Sequence, residues 1–510
     1  MESHFNIVDL FFEAADKYPL KIAIIENQKK ISFSELKIQV KETSNYFSLK
    51  GILKGDRVLV FVPMSIDLYR IVLAIFNIGA TAVFLDEWVN KNRMEACCEV
   101  AQCKAFIGIF KARLLGIFSS EIRKMPIKLG TKYHLNVNGD DKEIHSIASD
   151  TALITFTTGS TGKPKAAKRT HGFLKEQFNA LLETIDPHPD DIDMPVLPIV
   201  LLINLGVGCK SVIAKFKSNK PALMDAGKIY WQLKNNQVTK MVSSPYFIRK
   251  LSEYMISKEL SLNKINKVFT GGAPVFPAEA SILQKAFPEA RIGIVYGSTE
   301  AEPISSINAK ELEKSKNKIL KGLPVGKPYE KTQVKILKII STAINCASEN
   351  ELQQLMLPPG EIGEIIVSGP HVLREYFNND EALKQNKIFV GNDCWHRTGD
   401  SGYLENGSLF LTGRCENLII QDDKVIAPFM FENYFLNIKG VAMGTIMMFD
   451  NKLLAILELN KYSNKDQVRR IIMDQALKFD AIKFITKMPR DLRHYSKIDY
   501  IKLRKLIPPM

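Results

Sequence analysis

The stretch Ile154-Thr-Phe-Thr-Thr-Gly-Ser-Thr-Gly-Lys-Pro-Lys165 concentrates the residue types that can hold an anion. A β-prone run enters a loop with two glycines, four hydroxyl side chains and two lysines. Glycine lets backbone N–H groups approach an anion, hydroxyls donate to phosphate oxygens, and ammonium groups neutralise them. Thr157, Thr158, Gly159, Ser160, Thr161, Gly162 and Lys165 are therefore candidate phosphate ligands. A hydroxyl-rich surface turn has the same composition, and the loop alone does not separate the two. A Walker loop is excluded, because that pattern needs four residues between its glycines and Ser or Thr after its lysine. Here only Ser160 and Thr161 separate Gly159 from Gly162, and Pro164 follows Lys163. Proline removes an N–H and resists a helix starting directly behind the loop. The G-x-G-x-x-G dinucleotide pattern is absent as well.

Four further segments carry chemistry in a fixed order. Gly271-Gly-Ala-Pro274 follows the β run Lys267-Val-Phe-Thr270, and Tyr296-Gly-Ser-Thr-Glu300 comes next. His396-Arg-Thr-Gly-Asp400 is followed by Gly413-Arg414, and Pro489-Arg-Asp-Leu-Arg-His-Tyr-Ser-Lys-Ile-Asp499 lies near the end. Together with the first loop, these segments resemble the motifs of the adenylate-forming superfamily, which includes acyl-CoA synthetases, luciferases and the adenylation domains of peptide synthetases. The resemblance covers nearly the whole chain.

That resemblance implies ATP and Mg²⁺ as cofactors. It also implies activation of a carboxylic acid to an acyl-adenylate with loss of pyrophosphate, then acyl transfer to a thiol such as coenzyme A. It makes Glu300 the metal ligand, since Mg²⁺ takes hard oxygen donors; outside the motif, a carboxylate opening a helix would be the ordinary use. Tyr296 would offer a flat face to adenine, with Gly272, Ala273, Pro274 and Gly297 around it. Thr299 would donate to the α-phosphate. Asp400 suits a ribose diol, because one carboxylate accepts two hydroxyl hydrogens, and Arg414 would join it there. Lys497 would stabilise charge that grows only in the transition state. Lys483, Lys487, Lys502 and Lys505 share its tail, so only the motif sets Lys497 apart.

The chain departs from the superfamily pattern at four places. Ala166 stands where the signature loop closes on glycine. Leu197-Pro-Ile-Val-Leu-Leu-Ile-Asn204, the acyl-pocket segment, lacks the usual aromatic and histidine, which suits a fatty chain. Glu416 occupies the hinge position, commonly Asp or Lys. Asp422 and Asp423 fall where a double glycine usually lines the pantetheine tunnel, and two carboxylates would repel a phosphopantetheine arm. Gly271–Pro274, Tyr296–Ser305, Ala105–Ile109 and Arg493–Ile498 are similar to the olefin β-lactone synthetases, a branch of fatty-acyl-CoA-ligase-like enzymes. That similarity implies an alternative second step, in which the hydroxyl of a β-hydroxy acid closes the ring with no thiol.

The elements that must position these residues are set by length and pattern. A chain of 510 residues with 46% hydrophobic and 24% charged residues is ordinary globular material and too long for one core. Strand and helix patterns alternate over the first ~310 residues: helix over 5–18, strand over 57–63, helix over 68–78, strand over 82–85. Such alternation predicts parallel βαβ units. Short β segments come next at 362–369 and 407–412, then a strand over 453–459 and a charged helix over 464–479. The expected fold is α/β: a large multi-layer N-terminal domain with parallel sheets over 1–413, and a small mobile α+β lid over 414–510.

The net charge of +14 (69 basic against 55 acidic residues) is dispersed along the chain. This speaks against a nucleic-acid footprint and leaves membrane contact at most peripheral. Seven cysteines without a C-x-x-C pair or a neighbouring histidine predict buried thiols, not zinc. No basic-then-apolar leader opens the chain, so the expected location is cytoplasmic. A nucleotide-binding pseudoenzyme or interaction module with the same fold would have lost Glu300, Asp400 or Lys497, and all three are present.

Overall fold

In the computed structural model, which describes residues 4–85, 90–133, 145–157, 164–217, 220–315, 321–421, 424–473, 479–491 and 497–507, strands Thr151–Thr157 and Lys165–Thr170 pair antiparallel, with Thr157 opposite Lys165. The glycine-rich segment thus joins strand to strand. The next helix, His171–Ile185, opens only after that return strand, with the Thr170 hydroxyl capping Phe173 N at 3.1 Å. Proline at 164 fits this path, because an extended backbone tolerates it where a helix would not. Thr158 to Lys163 lie outside the described residues.

Among the described residues the hairpin closes a six-stranded sheet. Its order is Ile127–Leu129, Ala105–Gly108, Arg57–Phe61, Thr81–Phe84, Thr151–Thr157, Lys165–Thr170, parallel up to the last pair. The helix expected over 68–78 begins earlier, at Ile66, where Ser65 caps Leu68 N at 3.2 Å. Nine of its residues are buried, Leu68 to Phe76 without a break, because it lies in the core and not on its rim.

A 14-stranded sheet makes up the rest of the large region among the described residues. Strands Ile22–Glu26, Lys210–Val212, Ile192–Pro195, Lys240–Ser243, Lys267–Gly271 and Arg291–Ser298 run parallel, in that order. From Arg291–Ser298 onward the pairing turns antiparallel, through Ala301–Asn308, Leu323–Pro328, Ser408–Arg414, Asp393–Glu405 and Gly363–Ser368 to Gln333–Leu337. The parallel half carries buried apolar residues typical of a strand covered on both faces.

After Arg414 the texture changes. A hairpin of Ile419–Gln421 with Lys424–Ile426 precedes helix Pro428–Leu436 and a three-stranded sheet of Val441–Phe449, Lys452–Leu459 and Ala481–Ile485. That sheet buries its own core of Ile446, Leu457, Val468 and Ile472. The fold is thus α/β, a large sheet-rich region followed by a smaller α+β one. Of the helix expected over 464–479, Lys465–Met473 is observed, and 474–478 lie outside the described residues. None of the seven cysteines is in a disulfide; six are buried and Cys415 is half-buried.

One buried charge pair sits inside the parallel half. Lys240 Nζ lies 3.3 Å from Asp193 Oδ2 with both side chains fully buried, and Asn204 Nδ2 donates to the same carboxylate oxygen at 3.0 Å. Removing one partner strands the other ion in a dry interior. Asp193→Ala should therefore lower unfolding stability by about 3–5 kcal/mol, and Asp193→Leu with Lys240→Met should recover most of that loss. Denaturant titration of the three proteins checks this, and equal stabilities would refute it.

Candidate active site

Sheet register decides which motif residues meet. Strands Lys267–Gly271 and Arg291–Ser298 are parallel neighbours with Gly271 opposite Val295, so the Gly272–Pro274 segment leaves the sheet beside Tyr296. Gly272 has φ +84°, a conformation a side chain would strain. The chain then turns between Ser298 and Ala301, and Gly297 permits that turn. A Cβ on Gly297 would stand 2.9 Å from Ala301 O and 3.2 Å from Glu302 Cα.

Asp400 lies opposite Arg414 in the antiparallel pair of Asp393–Glu405 with Ser408–Arg414. Its carboxylate accepts a hydrogen bond from Tyr296 Oη at 2.8 Å and faces Arg414 Nε at 3.2 Å. The Arg414 guanidinium also donates to Thr398 O at 3.1 Å, and Thr398 Oγ1 accepts from Asp400 N at 3.0 Å. Burial and the neighbouring carboxylate push the Tyr296 phenol well up, so it stays protonated and donates. Asp400 raises the Arg414 guanidinium further. Tyr296, Asp400 and Arg414, drawn from distant parts of the sequence, form one connected group.

Glu300 is 8% exposed and held from three sides. Tyr376 Oη donates to Glu300 Oε1 at 3.2 Å, Leu373 N donates to Glu300 O at 2.7 Å, and Ser298 Oγ accepts from Glu300 N at 3.2 Å. The peptide just before it is fixed too, because Arg169 donates to Thr299 O at 3.0 Å. Lys165 Nζ donates to Asn386 Oδ1 at 2.7 Å. Burial draws the Lys165 ammonium below its ordinary range, with Glu300 and Glu416 acting upward and Arg414 downward. Lys165 and Arg414 both lie within electrostatic reach of Glu300 and Glu416.

The remaining candidates divide. Thr157 ends its strand at the mouth of the glycine-rich loop, while Thr158, Gly159, Ser160, Thr161 and Gly162 lie outside the described residues, as do Asp422 and Asp423. Glu416 sits in the single turn Cys415–Asn417. Lys497 belongs to the smaller region. Its backbone exchanges bonds with Asp491, N to Oδ1 at 3.0 Å and O from Asp491 N at 2.9 Å, and Ile498 beside it is anchored in an apolar cluster with Met447 and Leu454. Ala166 needs no glycine's freedom, since it occupies an ordinary strand position with its methyl buried in the core.

Sequence reasoning missed Arg169, Tyr376 and Lys387. Lys387 is buried, donates to Leu373 O, and is pulled down to about 8 by that burial, within reach of Glu300. Arg397, on the neighbouring strand Asp393–Glu405, is buried as well, donating to Glu364 Oε2 from Nε at 2.9 Å and to Thr342 O at 2.7 Å. Residues 197–204, expected to wall an acyl pocket, fall at the N-cap and in the body of the helix Pro198–Val207. Its Leu202 and Ile203 line an apolar cavity with Leu10, Phe11, Leu73 and Gln177. Gln177 reaches Glu302 Oε2 at 3.5 Å, two residues beyond Glu300.

Among the described residues no three metal-ligating side chains cluster. A single held carboxylate fits Mg²⁺, which keeps waters and binds substrate phosphates through one or two protein carboxylates.

The family profile described as AMP-binding enzyme matches residues 11–377. An olefin β-lactone synthetase of Xanthomonas campestris is 29% identical over 409 residues, 75% of this chain and 72% of that protein. A 2-succinylbenzoate–CoA ligase of Bacillus cereus is 24% identical over 96% of this chain and 97% of that protein. In fold, the chain resembles the O-succinylbenzoate coenzyme A synthetase of Bacillus subtilis in complex with AMP, with a TM-score of 0.80 at 20% identity, covering 99% and 98% of the two chains.

Tyr376→Phe removes one donor to Glu300 and keeps the ring. It should raise the Mg²⁺ concentration needed for half-maximal activity by roughly tenfold or more, the equivalent of at least about 1.5 kcal/mol for one hydrogen bond to a charged group. A Mg²⁺ titration that superposes on the parent's would refute the role.

Proposed function

The chain belongs to the AMP-binding enzyme family and is an adenylate-forming ligase, and we propose that its acid is aliphatic and that its acyl-adenylate closes on its own β-hydroxyl. In the first step a carboxylate oxygen attacks the α-phosphorus of ATP. The new O–P bond forms as the bond to pyrophosphate breaks. Both partners are anions, so catalysis is mainly positioning and neutralisation. The Tyr296–Asp400–Arg414 group supports a nucleoside site, with the ring of Tyr296 for adenine and Asp400 for the ribose diol. Glu300, held by Tyr376 and Leu373, is the residue that would hold Mg²⁺, which when bound supplies positive charge to the phosphates. Lys165 and the loop at 157–162 would meet the phosphates, and Thr299 the α-phosphate. We assign 1–413 to nucleotide and acid binding. Residues 414–510 would act as a lid that turns about 414–417, carrying Glu416 at the hinge and bringing Lys497 to the reacting phosphate.

An aliphatic acid is supported by the helix Pro198–Val207, which faces the apolar cavity with Leu202 and Ile203 and offers no aromatic or histidine. The observation that carries the second step is the Asp422–Asp423 pair at the place of the pantetheine glycines, together with relatives named olefin β-lactone synthetase. In that step the β-hydroxyl oxygen attacks the acyl carbon, the C–O bond to AMP breaks, and the hydroxyl proton leaves to solvent. Transfer to coenzyme A is the competing reading, favoured by the CoA ligases that align along the whole chain.

Aliphatic acids should drive exchange of labelled pyrophosphate into ATP, and Lys497→Ala should cut that exchange by roughly 10²–10³-fold, the size of losing one transition-state donor. No exchange across a panel of medium and long acids would overturn the first step. With a β-hydroxy acid, AMP release and lactone formation without coenzyme A are expected. Strict dependence on added thiol would assign the second step to thioester formation instead.

A further inference from the structure

The helix Phe110–Ile117 is packed in reverse. A helix at a protein surface ordinarily buries its large apolar side chains and shows water its small or polar ones. Here Ala112 and Gly116 face inward. A Cβ on Gly116 would lie 3.1 Å from Ile122 Cγ2 and 3.3 Å from Phe106 Cε1, and the Cβ of Ala112 is 3.2 Å from where a side chain on Gly108 would begin. The helix therefore rests on the sheet through its smallest residues, and its largest must point away. Phe110 and Phe118 are each 71% exposed, Leu115 66%, Ile117 58% and Leu114 46%. Positions 110, 114, 117 and 118 form one stripe at helical spacing. Other exposed apolar residues, such as Leu20, Ile38 and Tyr462, stand singly in the sequence, which is normal for a surface; five within nine residues is not.

Charge identifies the occupant. Residues 110–130 contain Lys111, Arg113, Arg123, Lys124 and Lys128 against Glu121 alone, a balance of 5 − 1 = +4. Lys111 and Arg113 lie on the helix itself, and no acid occurs between 109 and 120. The carboxylates beside it are already engaged: Glu121 pairs with Lys124, and Glu95 accepts from Ser120 N, Ser120 Oγ and Glu121 N. Two copies meeting face to face would set Lys111 and Arg113 against their own like charges. A bilayer with anionic headgroups satisfies both features at once, apolar side chains below the headgroups and cations among them. No helix among the described residues is long and apolar enough to cross a membrane, so the contact would be peripheral.

We infer that the Phe110–Phe118 face docks the protein on an anionic lipid surface, with Phe110, Leu114, Ile117 and Phe118 entering the headgroup–acyl boundary and Lys111 and Arg113 meeting the phosphates. The inference stands on packing and charge and is independent of which acid is activated.

The full chain, incubated with phosphatidylcholine vesicles and with vesicles containing phosphatidylglycerol as well, should sediment with the anionic ones and be released by salt. Leu114→Glu with Phe118→Glu should weaken that partition at least about tenfold. Lys111→Glu with Arg113→Glu should weaken it roughly tenfold and flatten its salt dependence. Both pairs should keep the parent's melting temperature and pyrophosphate exchange, which separates this result from any failure of the catalytic reading. Absence of sedimentation with either vesicle, or equal sedimentation of the parent and the Leu114/Phe118 variant, would overturn the inference. So would vesicle-independent self-association of the parent that the same variant abolishes, which would assign the face to a second copy.

Discussion

The carboxylate of Asp400 is where the two halves of the large sheet are tied together at the site. It takes a hydrogen bond from Tyr296, on the last parallel strand, and pairs with Arg414, across an antiparallel ladder. The Arg414 side chain is 49% exposed, so the ion pair adds little to stability. Its importance is positional. Three side chains that would surround one nucleoside are brought to fixed places by two pairings, Gly271 with Val295 and Asp400 with Arg414. Slippage of either register by one residue would turn its side chain to the opposite face of the sheet.

Around that tie the protein keeps positive charge in partly dry surroundings. Burial lowers the ammonium groups of Lys165 and Lys387, and Arg414 lowers Lys165 further. Cations held against burial and against one another favour the arrival of anions, because each phosphate oxygen relieves repulsion already present. The acid Glu300 stands among these cations, with Tyr376 donating to one of its oxygens. That bond fixes the direction in which the side chain presents its other oxygen, and hard oxygen donors are what Mg²⁺ takes. Charged groups are thus set in place before substrate binds, the arrangement that spares reorganisation at the moment of reaction.

The parts of this site that are contiguous in sequence could be read from it. Gly271–Pro274, Tyr296–Glu300 and His396–Asp400 each place several functional groups within a few residues, and the strand–loop–strand path at Pro164 agrees with one proline's missing N–H. Tyr376, Arg169 and Lys387 are different. Tyr376 lies 76 residues from the carboxylate it serves and Arg169 lies 130 from the carbonyl it holds. No spacing rule connects such pairs: Arg169 belongs to the six-stranded sheet and Thr299 to a turn of the 14-stranded one, so only tertiary packing brings them together. Lys387 is hidden for a second reason, because lysines are nearly always at the surface and composition argues against burying one. The helix at 66–77 shows the milder form of the same problem. Its periodic signal is lost when every face is apolar, and its start is set by the Ser65 cap rather than by the hydrophobic pattern.

Sequence distance and shared chemistry together leave the acceptor open in the nucleotide half of the site. On the reading proposed above, Tyr296, Glu300, Asp400 and Arg414 would answer to features of ATP, which every enzyme of this chemistry uses, and a shared fold places them without regard to the second half-reaction. The groups that could distinguish a thiol from an internal hydroxyl must enter from elsewhere. The acid can signal itself only through the wall it touches, which we assign to the aliphatic side of the helix Pro198–Val207. The acceptor can signal itself only through the chain after Arg414, which we assign to the lid. An internal hydroxyl arrives already attached to the acid and needs no channel, so a ring-closing enzyme is released from keeping small residues there. On the reading we propose, acidic residues at 422 and 423 are tolerable under that condition, whereas under the other they would add two anions on the side of a phosphate-bearing acceptor.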